Sequence, residues 1–457
     1  MLLAACSVSE EVDMVDKRGG ESPVQFSIYV SQPAETRAGA IGEVDDAKAQ
    51  SEGFGVFAFY TDETAWTDDA AITPNFMYNQ QVVYGADGWT YSPVKYWPND
   101  FSSAAVDDQD GDTGSNPATG SKNGGRLSFF AYAPYVAEGT GDYGITALTA
   151  NNETGAPRVT YRLNQDSPFV KDNVDLLWGV WPNESYQAIL GYSHATPGLP
   201  PTDLTKPTTQ EAVKFRFLHA LSQLHLLVQG AFDEVTPGTE DVDVETRILV
   251  NHIKVTTGAP KEARLNLYNT VANQARWEKV GTVEEAVLTL DVGSATLRAD
   301  IRNNADITSY LQTASNFDLL PEGVTVAVKP AVEGASVEAD ADYGLLFIPA
   351  SKDDPVGVTF QPLNAINVEV DYHVVTRDAS LVRNDPQGFS IVHNCINRTL
   401  TLPTGTYFEP SKKYTLKMIL GMTTVKFDVL EVDDWEVPIT LSPLVQEMNV
   451  VTRELEF

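Results

Sequence analysis

The stretch Ile366-Asn367-Val368-Glu369-Val370-Asp371-Tyr372-His373-Val374 carries an apolar side chain at every second position. Successive residues of a strand point to opposite faces. The spacing therefore predicts a β-strand with Ile366, Val368, Val370, Tyr372 and Val374 on a core face and Asn367, Glu369, Asp371 and His373 towards water. The same period runs through 24–30, 288–292, 324–328, 414–420 and 425–429, whereas 54–60 and 127–135 are apolar on both faces and read as interior strands. Turn formers separate these runs: Gly85-Ala86-Asp87-Gly88, Asn123-Gly124-Gly125 and Pro321-Glu322-Gly323. Helix signals are few. The best is 306–320, with Asp306 as N-cap and Gly323 beyond its end, while 213–228 fits helix and strand patterns equally. Many short strands between Gly/Pro turns predict an all-β protein built of sandwiches.

The chain has 457 residues, with 63 Asp+Glu against 31 Lys+Arg, a net charge of −32. Phosphate contacts are made by clustered bases, so this balance excludes nucleic acid and anionic lipid as partners for a basic face. The apolar content supports a sizeable core, and the length suggests two or three domains. Pro197, Pro200, Pro201 and Pro207 mark the clearest linker. Proline cannot donate to a sheet ladder, so a sheet is not expected to run through them. The expected division is a leader and pro-segment over 1–37, an N-terminal sandwich over 38–205 and a C-terminal sandwich over 206–457. Residues 107–125, rich in Gly, Asp and Ser, read as a long surface loop.

No constellation of catalytic or metal-ligating residues emerges. Gly191-Tyr192-Ser193-His194-Ala195 lacks the last glycine of a nucleophile elbow and leads into the proline stretch instead of a helix. His219 and His225 fall on one strand face but far apart. His393 and Cys395 share a face without a second cysteine nearby, so Cys395 reads as a lone buried thiol. Asp108, Asp110 and Asp112 have the alternation of a calcium loop, but Thr113 stands where glycine is required. No enzyme activity, metal or cofactor is expected. The seven tryptophans read as core residues; the alternative, a surface glycan-binding protein, needs several of them exposed on one edge.

Two cysteines exclude a disulfide framework. Cys6, ending Leu3-Ala4-Ala5-Cys6, resembles the acylated cysteine of a bacterial lipobox, and Glu10, Glu11, Asp13 and Asp16 follow it. Such an acidic cluster resembles the signal that sends Bacteroidetes lipoproteins to the outer face of the outer membrane. No run of 18 apolar residues occurs, so an N-terminal lipid is the membrane attachment this sequence offers.

Four blocks occur in order: Gly55-Val56-Phe57-Ala58-Phe59-Tyr60, Phe76-Met77-Tyr78-Asn79-Gln80, Trp89-Thr90-Tyr91-Ser92-Pro93-Val94-Lys95-Tyr96-Trp97-Pro98 and Leu127-Ser128-Phe129-Phe130-Ala131-Tyr132-Ala133-Pro134-Tyr135. With Asp175-Leu176-Leu177-Trp178, 217–224 and 407–414 through Asp434-Trp435, they resemble the fimbrillin-like family of Bacteroidetes, the subunits of type V pili. The resemblance implies two tandem transthyretin-like Greek-key sandwiches with few short helices, export as a lipoprotein, trimming by an arginine-specific protease, and assembly with other pilin subunits by strand exchange. It implies a cell-surface fimbria serving adhesion to a host or bacterial receptor or glycan. The processing arginine maps onto Arg37, followed by Ala38. Length and the 107–125 loop favour an accessory or tip position slightly.

The residues themselves support assembly. Cleavage after Arg37 would release a strand whose Val24, Phe26, Ile28 and Val30 form one apolar face, baring an edge and a groove. A donor must be extended and apolar at alternate positions. The tail 437–457 fits, with Val451, Leu455 and Phe457 on one face and Ile439 and Leu441 in a second alternation, although the same residues suit the last strand of a second sandwich.

Overall fold

A computed structural model describes residues 23–28, 52–98 except 63 and 87, 125–182 except 140 and 165, 196–206, 212–230, 246–280, 285–291, 318–319, 326–327, 344–349, 363–377, 380 and 389–434. Among these residues the named elements are all strands apart from a short 3-10 turn at Val170–Asp172.

The first sheet draws on strands β1 (Phe26–Ile28), β2 (Phe54–Asp62), β3 (Met77–Gly85), β4 (Gly88–Thr90), β5 (Arg126–Ala133), β8 (Leu177–Val180) and β9 (Val213–His219), in the order β1-β9-β8-β5-β2-β3-β4. Its central strands are buried on both faces. Phe54, Val56 and Ala58 of β2 face one core, and the alternate Phe57 and Phe59 face another; Phe129 and Phe130 divide likewise in β5. That two-sidedness is what the continuous apolar runs predicted. The sheet also curls until its two ends meet, because β1 touches β4 and Pro23 bridges to Tyr96 just beyond β4. The core containing Phe54 and Phe129 lies inside the curl.

Against the other face lies a four-stranded sheet of β6 (Gly144–Leu148), β7 (Arg158–Arg162), β12 (Glu262–Asn266) and β13 (Arg276–Lys279), ordered β13-β12-β7-β6. The remaining strands form two sheets. One is β16 (Val326–Ala327), β10 (Ser222–Gly230), β20 (Lys412–Leu420) and β21 (Val425–Asp434), with β17 (Leu345–Phe347) also on β10. The other is β14 (Glu285–Asp291), β11 (Thr246–Pro260), β18 (Ala365–Arg377) and β19 (Phe389–Thr401), with β15 (Asp318–Leu319) also on β11. Leu224, Leu416 and Met418 of one sheet join Ile253, Val370 and Tyr372 of the other in a core that continues to Trp178 and Trp277.

Several expectations are corrected. Strands from both sides of position 205 share sheets: β9 pairs with β8, β12 pairs with β7, and β13 joins through β12. The proline stretch is not a free linker, since Leu204 is buried and exchanges two hydrogen bonds with Leu127, and the Pro201 carbonyl accepts from the Phe129 N–H. Prolines still serve there, as acceptors beside β5. Residues 318–319 of the expected helix 306–320 are strand, paired with Leu249 and Ile248; the rest lies outside the described residues. The ambiguous 213–228 is two strands, β9 and β10, broken at Ala220-Leu221.

Candidate functional site

Residues 23–28 fill the seam where the first sheet closes. On one edge β1 runs parallel to β9, with Phe26 opposite Val213 and Ile28 opposite Phe215, and the Val213 N–H donates to the Gln25 carbonyl at 2.7 Å. On the other edge the Val24 N–H donates to the Lys95 carbonyl at 2.9 Å. The segment is thus hydrogen-bonded on both sides, as an inserted strand is.

Its side chains alternate as the sequence predicts. Val24 is 1% exposed and Phe26 3%, while Gln25 faces water and Ile28 is half-buried against the same core. Phe26 stands among aromatic rings: it meets Phe129 edge-on at 5.7 Å between centroids, Phe54 edge-on at 6.4 Å and Tyr91 at 5.4 Å, and stacks on Phe215 at 6.1 Å. Gly179 of β8 leaves room for this stack, because a Cβ there would lie 2.7 Å from the Phe215 ring. Burying Val24 and Phe26 contributes on the order of 3–6 kcal/mol, at about 1.5–3 kcal/mol for each side chain. Val30 lies outside the described residues.

Tyr91 is the residue that the sequence did not single out. Its hydroxyl donates to the Val24 carbonyl at 2.8 Å and accepts from the Lys95 N–H at 3.2 Å, while its ring packs on Phe26. One side chain therefore holds the inserted strand to the 91–97 strap by backbone and side chain together. Burial pushes the phenol above its ordinary pKa, partly offset by its bond to the Lys95 backbone. The signal was present in the aromatic alternation Trp89, Tyr91 of that block, but which carbonyl the hydroxyl would meet depends on a strand more than sixty residues away.

The other candidates separate. His219 is buried, its Nδ1 2.8 Å from the buried Asp175 carboxylate, while His225 lies on a different strand, β10. His373 is buried, correcting the solvent-facing expectation: it stacks on His393 with centroids 4.7 Å apart and meets Asn251 through Nδ1. His393 Nε2 lies 2.7 Å from Asp371. Cys395 is exposed, not buried, and partial desolvation with the Glu369 and Asp371 carboxylates raises its thiol pKa, which keeps it a poor nucleophile. Among the described residues no three His, Cys, Asp or Glu side chains are grouped to hold a metal ion. Of the tryptophans described, Trp66, Trp97, Trp178, Trp181 and Trp277 are buried and Trp89 is half-buried against the inner core, so they offer no platform of the kind sugar rings stack on. Trp435, Cys6, Arg37, Ala38, Val451, Leu455, Phe457, the Asp108–Asp112 alternation and the Gly191–Ala195 run lie outside the described residues. No described helix is long and apolar enough to cross a membrane.

An all-β chain of packed sheets, with an N-terminal strand set into a seam, finds its likeness among bacterial fimbrial proteins. No family model matches the sequence. The chain is similar to the fimbrium subunit Fim1C of Phocaeicola vulgatus, at 24% identity over 437 residues, 94% of this chain and 92% of that protein. Its fold is similar to the crystal structure of a fimbrial protein from Bacteroides vulgatus, with a TM-score of 0.51 at 21% identity over 86% of this chain and 99% of that one. The resemblance to Bacteroidetes fimbrial subunits first visible in ordered sequence blocks therefore holds over nearly the whole length.

Proposed function

We propose that the chain is a structural subunit of a cell-surface fimbria and that residues 23–28 occupy, in the unprocessed protein, the groove another subunit fills in the polymer. The observation that carries this reading is the inserted strand. It contributes Val24 and Phe26 to a core, yet only a few backbone bonds tie it to β9 and the Lys95 strap. A segment so placed can be exchanged for another extended strand with the same alternation. In this reading Cys6 carries the lipid that holds the exported precursor at the outer membrane, and an arginine-specific protease cuts between Arg37 and Ala38. The two sandwiches divide near residue 205 in chain order while sharing strands across that point. Residues 437–457 supply the donor, with Val451, Leu455 and Phe457 entering the groove of the next subunit. An accessory or tip place in the fibre, bearing the contact with a receptor or glycan, goes with the 107–125 insertion.

The test is to cut purified protein at Arg37 and follow its size, with Arg37→Ala as the uncut control. Oligomers that form only after cutting, and that a synthetic peptide of residues 437–457 caps, are the expected outcome. If the cut protein stays monomeric and ignores the peptide, the reading fails.

A further inference from the structure

Among the described residues, the outer side of β19 forms a second sheet edge. This strand closes the β14-β11-β18-β19 sheet, and among the described residues it pairs with β18 alone, through thirteen consecutive residue pairs without a bulge. It is the longest edge strand described. Edge strands are ordinarily kept from pairing with other chains by charges, proline, bulges or shortness. Phe389-Ser390-Ile391-Val392-His393-Asn394-Cys395-Ile396-Asn397-Arg398-Thr399-Leu400-Thr401 has no proline, no glycine and no acid, and Arg398 is its one fixed charge. β21, the edge of the facing sheet, carries Asp428, Glu431, Asp433 and Asp434. In a chain of net charge −32, thirteen acid-free residues along an edge of the described sheets set β19 apart. The strand also overhangs its core: Val392 is 37% exposed, Ile396 and Leu400 are only partly covered, and Asn394 and Arg398 reach the Met422 and Val425 carbonyls of the facing sheet.

We propose that β19 pairs antiparallel with β19 of a second copy of this chain, about a two-fold axis at Cys395. An antiparallel strand is complementary to itself, so a two-fold contact requires no other matching surface. Two copies of net charge −32 can approach to strand spacing only where no carboxylates meet, and β19 supplies such a line. The axis falls at Cys395 because that residue is the midpoint of Phe389–Thr401, where two such strands overlap fully. An axis there sets Arg398 of one copy opposite Val392 of the other and keeps the two arginines apart. Cys395 then faces its own copy at about 4.5–5.5 Å between Cα atoms, within disulfide reach. The contact uses a different edge from the N-terminal seam and needs no cleavage.

The experiment takes the uncut full chain with Cys6→Ser and measures association by sedimentation, then treats the dimer with an oxidising catalyst. A reversible dimer that cross-links through Cys395 is expected, strengthened by salt. Cys395→Ser keeps the dimer and loses the cross-link. Cys395→Lys sets two ammonium groups against each other at the axis while gaining Asp371 and Glu369 as neighbours within its own chain. It is expected to keep the fold by circular dichroism and to raise the dimer dissociation constant by up to about fivefold, since like charges directly opposed destabilise strand pairs by up to about 1 kcal/mol. A chain that stays monomeric at high concentration, a dimer whose dissociation constant Cys395→Lys leaves unchanged, or a dimer that does not cross-link through Cys395 overturns the proposal.

Discussion

Phe26 concentrates the energetics of the inserted strand in one ring, touched by Phe54, Tyr91, Phe129 and Phe215. Phe26→Ala would leave a cavity among side chains that cannot all collapse inward, and cavities of this kind cost about 3–5 kcal/mol. The expected outcome is a lowered denaturation midpoint. Hydrogen exchange decides how the loss is taken up: protection should fall first at Val213, whose N–H donates to the Gln25 carbonyl. A uniform loss across the molecule would mean that the strand does not leave independently. Tyr91→Phe is the milder probe. It keeps the ring on Phe26 and removes the bonds to Val24 and Lys95, worth about 1 kcal/mol net, so it should loosen the segment while the rest of the fold keeps its stability.

At the level of elements, the β18–β19 pair is predicted to be pH-sensitive through His373. Burial, joined by the neighbouring His393, lowers the His373 pKa below its ordinary 6.5, and Asp371 opposes that shift without cancelling it. The folded imidazole therefore stays neutral where the unfolded one takes a proton. The stability tied to it is complete above pH 6.5 and declines as pH falls below. For Asp371, burial pushes the carboxyl pKa up, but hydrogen bonds from Asn251 and His393 outweigh it and the net shift is downward. Its contribution is present above the ordinary 3.8 and is lost only in stronger acid. Denaturation midpoints should fall between pH 7 and pH 5, and His373→Gln should flatten that slope; a slope the substitution leaves unchanged assigns it elsewhere. β18 was legible from its alternation because its inner face is buried by the sheet opposite. What was not legible is what covers the other face: the alternation sends His373 to water, whereas Asn251 at the Val250/His252 register shift of β11 and the ring of His393 enclose it. The same blindness to distant partners hid the place of β12, which local pattern assigns to a later domain and which pairs with β7 across about a hundred residues, carrying β13 with it. Cys395 was read as buried because a lone free cysteine without a metal partner is usually buried, but β19 is an edge and only its inner row is partly covered.

For the whole molecule, the net charge of −32 and the acid-free character of the two proposed contact regions set how assembly responds to salt. The seam seats the strand through Val24, Phe26 and backbone bonds, and the residues lining its core are apolar. Attraction at the seam is therefore short-ranged and nearly independent of ionic strength, while repulsion between the subunits is long-ranged and screened. The Debye length falls from about 10 Å at 0.1 M salt to about 3 Å at 1 M, so added salt removes the opposing force and leaves the attractive one. Polymerisation after cleavage, followed by light scattering, should accelerate with sodium chloride, chiefly through faster encounter. Assembly through opposite-charge patches would show the reverse, slowing as salt rises, because steering by complementary charge is itself screened. A rate that falls with salt would place the decisive contacts on charged surface and away from the seam.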